Sequence, residues 1–201
     1  MIRTVVIDLG GVLFSEGKSV ALEKLSTTYG YDQGLVGAIL TSPKSILLRK
    51  GLLSDVDFWR WAQQQLPSNY DSRLIQQEWY NGYMLDEGVY QLVAKLRKKY
   101  SIIAFSGNIR SRVAFLEDKY HFRHLFDIEI YSFDFHMTKP EREFVEAMIE
   151  KSGVRPEEIL YIDDKDSYAQ QARELGVIVI IHRQGDTLGL LDKLRQHGLV
   201  F

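Results

Sequence analysis

Five short apolar runs, rich in β-branched residues, alternate with helix-like stretches along most of this chain, and no other feature constrains its fold as strongly. The first run is Thr4-Val5-Val6-Ile7, and the others cover residues 101–105, 128–132, 158–162 and 177–181. Continuous apolar runs of this length fit strands that are buried on both faces of a sheet. Strands that alternate with helices form a parallel sheet with helices on both faces. The sequence therefore predicts an α/β, Rossmann-like core.

The helices of this core are expected to follow the second and later strands in turn. Their predicted ranges are 87–99, 109–120, 139–152, 167–175 and 187–197. Pro140 is placed in the first turn of the third of these helices, where a missing N–H does no harm. Gly176 is a C-terminal stop signal for the fourth.

The segment between the first two strands contains no strand-like run. Apolar residues recur three to four positions apart, Ser54 is a helix start signal, and Pro67 breaks the helix that follows it. Helices are predicted at 20–25, 35–40, 45–50, 54–66 and 72–83. The sequence thus predicts an all-helical cap at residues 17–86, inserted into a core domain made of residues 1–16 and 87–201.

All three tryptophans of the chain, Trp59, Trp61 and Trp79, lie in this predicted cap. We expect them to pack between helices. The alternative is that one or two of them face a substrate cleft.

Polar residues follow the predicted strands at the points where the apolar runs end. Asp8 follows the first strand, Ser106 to Asn108 follow the second, Lys139 precedes a helix, and Asp163-Asp164 follow the fourth strand. The carboxyl ends of parallel strands share one sheet edge, where ligands bind in α/β proteins. Three crowded carboxylates repel one another, and a hard divalent cation such as magnesium offsets that repulsion. A lysine and a hydroxyl suit a phosphoryl group, so the pattern predicts an aspartate nucleophile, a metal and a phosphate cradle.

These residues form four motifs that resemble those of the haloacid dehalogenase-like hydrolase superfamily, over nearly the whole chain. The motifs are Asp8-Leu9-Gly10-Gly11-Val12-Leu13, Ser106 in F-S-G-N, Lys139 in T-K-P-E and Asp163-Asp164 in Y-I-D-D. A helical cap between the first and second motifs also belongs to the family pattern.

The resemblance implies a role for each motif. Asp8 is expected to be the nucleophile that forms an aspartyl intermediate, and Lys139 to neutralise charge and orient it. Ser106, with the neighbouring amides of Gly107 and Asn108, is expected to bind the phosphoryl oxygens.

The resemblance also implies a magnesium site. Asp8, the backbone carbonyl of Gly10 and the carboxylate of Asp164 are expected to hold Mg²⁺. Asp163 is expected to be a further ligand or to support one from behind.

Three positions depart from the family pattern. Family phosphatases usually carry a second aspartate two residues after the nucleophile, as a general acid and base worth roughly 10²–10⁴-fold in rate. That position is Gly10 here. Many members have Asp or Asn where this chain has Tyr168, and the nearest subgroup often has Asn where this chain has Gly107. The subgroup with D-L-G-G in the first motif includes apparent sugar-phosphate phosphatases, so Gly10 is compatible with activity.

The leading hypothesis is a magnesium-dependent phosphatase that acts on a small phosphorylated metabolite, such as a sugar phosphate, through an aspartyl-phosphate. The first alternative is a 2-haloacid dehalogenase, since halide leaves without a proton and Gly10 is then no obstacle. The second is a catalytically weak family member that serves as a binding module through the aromatic residues of its cap. Gly10 and Tyr168 motivate this second alternative.

Charge and composition narrow the range of partners. The formal net charge is −2 at pH 7, so no strong field attracts the chain to nucleic acid or to an anionic membrane. The chain has no cysteine, which excludes disulfides, thiolate metal sites and a cysteine nucleophile. No secretory leader is recognisable, so we expect a cytoplasmic protein, monomeric or homodimeric.

Some basic residues remain without a firm assignment. Arg49 and Lys50 are expected at a solvated helix end, with contact to an anionic substrate as the alternative. Arg110 and Arg112 follow Asn108 on a helix, from which an approach to a phosphate is conceivable. His182 follows the fifth strand, and contact with the crevice is not expected.

Overall fold

The computed structural model describes residues 1–201 and is built around one five-stranded sheet. Its strands are β1 (Thr4–Ile7), β2 (Ser101–Ser106), β3 (Ile128–Tyr131), β4 (Ile159–Asp163) and β5 (Ile178–Ile181). The strand order is β3-β2-β1-β4-β5, and every neighbouring pair is parallel. The α/β, Rossmann-like fold predicted from the sequence is therefore confirmed.

The strand order reverses direction at β1. From β1 the chain builds β2 and β3 on one side, and it then crosses to the other side for β4 and β5. A crevice forms outside the carboxyl ends of the strands at such a switch point. In this chain it lies between the ends of β1 and β4, where Asp8 and Asp163 stand.

Six α-helices belong to the part of the chain that follows residue 86. They are α6 (Glu87–Leu96), α7 (Arg110–Tyr120), α8 (Ser132–Phe135), α9 (Arg142–Ser152), α10 (Asp166–Glu174) and α11 (Thr187–Gln196). Val6 points to the sheet face covered by α9 and α10, whereas Val5 and Ile7 point to the face covered by α6 and α11. Successive residues of a strand face opposite sides, so a strand with helices on both sides has to be apolar throughout.

Five further helices occupy the segment between β1 and α6. They are α1 (Gly17–Tyr29), α2 (Gln33–Leu40), α3 (Pro43–Arg49), α4 (Asp55–Gln65) and α5 (Ser72–Asn81). Side chains of Asp32, Ser42, Ser54 and Asp71 accept hydrogen bonds from the first-turn amides of α2 to α5. These caps satisfy amides that have no partner inside the helix.

The inserted helices are packed onto the rest of the chain through a continuous apolar interior. One cluster of 41 buried residues includes Phe58 and Trp79 from the insert together with Ile7 and Ile102 from the sheet. Because the insert and the sheet share one apolar interior, the pattern of buried residues does not separate two domains. The division into a cap at 17–86 and a core stays a prediction.

The start of one predicted helix is wrong. The stretch 139–152 was expected to be helical from Lys139, but α9 begins at Arg142. Lys139 and Pro140 lie in a turn joined by a cis peptide bond, and Glu141 has an extended backbone. The turn leaves Lys139 outside the helix, with its side chain buried at the sheet edge.

No helix of the chain is both long and apolar enough to cross a membrane.

Candidate active site

A cavity of about 320 Å³ lies at the carboxyl edge of the sheet, between the strand ends and the inserted helices. The strand side of its wall includes Asp8, Ser106, Asn108 and Lys139. Residues of the insert, described below, line the opposite side. The structure thus brings the residues of the predicted motifs together at one edge, as parallel strand ends require.

Lys139 bridges two carboxylates at the centre of this edge. Its Nζ lies 2.8 Å from Oδ2 of Asp8 and 2.7 Å from Oδ2 of Asp163, and it also donates to the hydroxyl of Tyr161 at 3.0 Å. Burial favours the neutral amine, but the charges of Asp163 and Asp8 outweigh burial and hold the pKa of Lys139 above its usual value. Lys139 is therefore a fixed positive charge and not a proton acceptor at neutral pH.

Asp8 is buried with an exposed fraction of 6%, and the backbone amide of Leu9 donates to its Oδ1 at 2.7 Å. Burial raises the pKa of Asp8; Lys139 opposes that rise, and the charge of Asp163 adds to it. One carboxylate oxygen is held by an ion pair and the other by an amide. The side chain is thereby fixed at the end of β1, facing the cavity.

Asp8, Asp163 and Asp164 offer carboxylate oxygens that all lie within 4.8 Å of one another. Burial and the charge of Asp8 raise the pKa of Asp164 to about 7. Such a cluster of hard oxygen donors, in which like charges repel, fits a magnesium ion. Gly11 leaves room for the side chain of Asp164. Its φ is +80°, and a Cβ at this position would fall on the carboxylate of Asp164.

The two acids of the fourth motif have different surroundings. Oδ2 of Asp163 accepts hydrogen bonds from Lys139 and Tyr161, and its Oδ1 accepts one from the amide of Lys165 at 2.8 Å. These donors lower the pKa of Asp163 despite its burial. Asp164 has no comparable set of donors and is partly exposed, so its carboxylate is the more available of the two.

The loop after β2 presents donors to the cavity. Oδ1 of Asn108 accepts hydrogen bonds from the amide of Ile109 at 2.9 Å and from Nε of Arg112 at 2.7 Å. Because both of these hydrogen bonds are made to the oxygen of the Asn108 side chain, its amide nitrogen is left as a donor. Ser106 and Gly107 line the same cavity.

Tyr83 occupies the space beside Gly10. A Cβ placed on Gly10 would lie 3.2 Å from Cε1 of Tyr83, and the tyrosine lines the cavity. The sequence placed Tyr83 at the end of a packing helix, but α5 ends at Asn81 and Tyr83 lies in the turn that follows. No local pattern signals this contact, since 73 positions separate the two residues in sequence.

Three further charged residues line the cavity without having been singled out from the sequence: Glu16, Lys18 and Lys165. Lys165 lies 3.9 Å from Glu16. Burial raises the pKa of Glu16, but hydrogen bonds from Ser19 and the two lysine charges bring it below its usual value. Of these three residues, Lys165 is the one that the sequence signals, because it directly follows Asp163 and Asp164 at the end of a strand.

Of the four basic residues that the sequence left unassigned, one lines the cavity and three do not. Arg49 lines the cavity, where an anionic substrate would be within its reach. Lys50 instead pairs with Glu141 at 2.8 Å. Arg110 pairs with Asp134 at 2.7 Å, away from the cavity, and Arg112 is buried behind Asn108.

Trp59 and Trp79 are buried, and Trp61 packs against the same apolar cluster. None of the three tryptophans lines the cavity, in agreement with the expected helix packing. His182 is buried as well and does not reach the cavity.

Comparison with known proteins agrees with this geometry. Residues 2–176 match the family model described as haloacid dehalogenase-like hydrolase. A functionally uncharacterised protein of Dictyostelium discoideum is 40% identical over 221 aligned residues, which cover 95% of each chain.

Two solved structures share the fold. A HAD family enzyme from Bacteroides thetaiotaomicron, crystallised with magnesium and inorganic phosphate, superposes with a TM-score of 0.81 at 23% identity, covering 95% of this chain and 99% of that one. L-2-haloacid dehalogenase from Xanthobacter autotrophicus, with chloropropionic acid covalently bound, gives a TM-score of 0.67 at 20% identity, covering 100% of this chain and 85% of that one. Identities this low show a common fold and no more.

Proposed function

This chain belongs to the haloacid dehalogenase-like hydrolase family, and from that premise we propose that it is a magnesium-dependent phosphatase. Its substrate is a small phosphorylated metabolite, which the cavity of about 320 Å³ is large enough to hold. The observation that carries the proposal is the cluster of Asp8, Asp163 and Asp164 around one point, with Lys139 beside it. A dehalogenase needs no metal, so a cluster of carboxylates that fits a magnesium ion favours the phosphatase.

In the proposed reaction an oxygen of Asp8 attacks phosphorus, the ester P–O bond breaks, and an aspartyl-phosphate forms. Lys139 opposes the rise that burial causes in the pKa of Asp8, and it orients the carboxylate through the ion pair at 2.8 Å. The hydroxyl of Ser106 and the amide nitrogen of Asn108 donate to the phosphoryl oxygens. Water then attacks the aspartyl-phosphate, which releases inorganic phosphate and restores the carboxylate.

Asp164, Asp8 and the carbonyl of Gly10 are the groups proposed to hold magnesium, with Asp163 orienting Lys139 from behind. When bound, the ion supplies positive charge that offsets the charge of the phosphoryl group. The Bacteroides thetaiotaomicron enzyme crystallised with magnesium and phosphate supports this assignment by analogy.

The leaving alkoxide requires a proton, and Gly10 offers none. Glu16 is a poor donor because its lowered pKa keeps it ionised at neutral pH. We assign the proton to the hydroxyl of Tyr83, whose oxygen lies 3.9 Å from the position that a Cβ on Gly10 would take. The guanidinium of Arg112, 4.3 Å from the ring centre of Tyr83, stabilises the tyrosinate that results, and the attacking water returns the proton.

The test is a panel of phosphate esters assayed with purified protein, with and without magnesium. Magnesium-dependent release of phosphate that is abolished by Asp8→Asn is the expected result. If no ester on the panel gives metal-dependent turnover, the proposal fails.

A 2-haloacid dehalogenase is the second candidate, favoured by Gly10 because halide leaves without a proton. The fold shared with the Xanthobacter autotrophicus enzyme agrees with it. Halide release from 2-haloacids that is unaffected by a chelator would establish this activity in place of the first.

A binding module with little catalysis is the third candidate. Formation of a beryllofluoride adduct at Asp8 in the presence of magnesium would count against it, because the adduct requires an assembled phosphoryl site. The expected partners are otherwise limited to the small phosphorylated substrate. Cytoplasmic location, a monomeric or homodimeric state and the absence of nucleic-acid and membrane partners stay predictions.

A further inference from the structure

Two arginines near the cavity have no carboxylate partner. Arg112 is 1% exposed; its Nε bonds to Asn108, and its Nη1 is buried without any hydrogen bond. Arg49 has one hydrogen bond, from Nη2 to the carbonyl of Leu40 at 3.3 Å, and its Nε is buried without a partner. Arg112 is fully buried and Arg49 is half-buried. A guanidinium group removed from water is normally paired, because desolvating a charge is costly.

The two cations lie against the same indole ring. The guanidinium carbons of Arg112 and Arg49 are 4.6 and 5.8 Å from the ring centre of Trp79. After burial, the charge of Arg49 is among the causes that lower the pKa of Arg112. An aromatic face attracts a cation by only about 0.5–2 kcal/mol, which is less than the cost of burying one. The pair therefore lacks an anion.

Arg49 is the member of this pair that reaches the cavity. The other cavity cations have acidic neighbours. Lys139 bridges Asp8 and Asp163, Lys165 lies 3.9 Å from Glu16, and the charge of Lys18 acts on the same Glu16. A ligand that enters the cavity is thus the remaining source of a counter-charge for Arg49.

The position of Arg49 is fixed by its backbone. The hydroxyl of Ser132 donates to the carbonyl of Arg49 at 2.6 Å and accepts from the amide of Asn108 at 3.0 Å. One hydroxyl group therefore links the end of α3 to the loop proposed to bind phosphoryl oxygens. The neighbouring ion pair between Lys50 and Glu141, at 2.8 Å, holds the same end of α3. The backbone of Arg49 is consequently held beside the cavity by contacts within the protein.

We propose that Arg49, backed by Arg112, forms an anion subsite for a second negatively charged group of the substrate. This inference rests on the proposed phosphatase function and narrows the substrate class to phosphate monoesters that carry a carboxylate or a second phosphate. A guanidinium offers paired N–H donors that match either group. The size of the cavity keeps the two charged ends close together in the substrate.

The test uses a series of ω-phosphooxy carboxylates and alkanediol bisphosphates of two to four carbons. Each is paired with the alkyl phosphate of the same length, which lacks the second charge. The wild-type protein is expected to prefer the doubly charged member by roughly 10- to 100-fold in kcat/KM, through KM, as for one charge-assisted contact. The carboxylate and bisphosphate arms identify which anion the subsite takes.

Two substitutions at Arg49 and one control locate the effect. Arg49→Met should abolish the preference, because kcat/KM should fall further for the doubly charged member of each pair than for the alkyl phosphate. Arg49→Lys should retain part of the preference. Lys44→Met removes one positive charge from the same helix, beside Trp61 and outside the cavity, and should change nothing. Equal losses for both members of each pair in Arg49→Met would overturn the subsite, as would a wild-type protein without the preference.

The outcome is separable from that of the phosphatase proposal. If no ester is hydrolysed, calorimetric binding of the same compounds to the wild-type, Arg49→Met and Lys44→Met proteins gives the answer. Tighter binding of the doubly charged member that depends on Arg49 alone supports the subsite without any turnover. Binding that is equal for both members, or unchanged in Arg49→Met, refutes it.

Discussion

The ring of Tyr83 stands against Gly10, so that a Cβ at position 10 would lie 3.2 Å from Cε1 of the tyrosine. A side chain at position 10 would therefore press against this tyrosine. The chain carries the tyrosine, which is 8% exposed and faces the cavity beside Asp8. Gly10 thus leaves room for Tyr83, the residue that we propose as the proton donor.

Tyr83→Phe should lower kcat for alkyl phosphates by roughly 10²-fold, within the range for loss of a general acid. The loss should be much smaller for nitrophenyl phosphate, whose leaving group departs without a proton. Steady-state kinetics on the two esters measure the difference. Tyr29→Phe, at an exposed position of the insert, is the control. Equal losses on both esters would mean that the hydroxyl has a structural role.

Gly11→Ala should weaken magnesium binding. The added methyl falls on the carboxylate of Asp164, and the φ of +80° adds about 1–2 kcal/mol of backbone strain. Gly153→Ala is a matched control, since its φ is +66° and nothing lies within 4 Å of the added Cβ. Both variants should lose stability in thermal unfolding, but only Gly11→Ala should lose magnesium affinity by calorimetry. Unchanged affinity in Gly11→Ala would remove Asp164 from the metal site.

Magnesium binding should weaken by about tenfold per pH unit below pH 7, because the ion has to displace a proton from Asp164. Burial and the charge of Asp8 raise the pKa of this acid from 3.8 to about 7. In the metal-free protein, the free energy of unfolding should fall as the pH rises from about 4 to 7, because the folded state binds the proton of Asp164 more tightly than the unfolded state does. Calorimetry from pH 5 to pH 8 measures the slope, and buffers of different ionisation enthalpy count the released proton. An affinity that does not change with pH would contradict the assignment.

Lys139→Met should abolish turnover and cost about 3–5 kcal/mol in the free energy of unfolding at neutral pH, as for a buried ion pair that loses one partner. Asp8 and Asp163 then remain buried without a counter-charge, and their pKa values rise. The stability deficit should therefore shrink as the pH falls and the carboxylates take up protons. Chemical denaturation at several pH values measures this trend.

Lys50→Met is the control for that series. Lys50 pairs with Glu141 at 2.8 Å, but both side chains are partly exposed, and such pairs contribute at most about 1 kcal/mol. A deficit in Lys139→Met that is no larger than in Lys50→Met would show that the buried bridge contributes little.

The sheet and the acidic edge were predictable because they depend on short-range patterns. The run Thr4–Ile7 is apolar at every position since both faces of β1 are covered, and Asp8 follows where the strand leaves the sheet. Parallel strands then bring Asp8, Ser106 and Asp163 to one edge whatever the loops do. Lys139 was placed correctly at this edge although the helix start was not, because a turn and a first helical turn both leave the residue near the strand ends.

Sequence by itself determined the α/β fold and the residues at the strand ends, since hydrophobic periodicity and the alternation of strand-like with helix-like stretches are patterns within the chain. Only the tertiary structure decided what faces those residues from the insert. Tyr83 beside Gly10, and Arg49 linked through Ser132 to Asn108, depend on how the helices dock onto the sheet. Docking is set by packing among residues far apart in sequence, and no periodicity within one segment records it. The fold and the acidic cluster were therefore readable from the sequence, whereas the groups proposed to donate the proton and select the substrate were not.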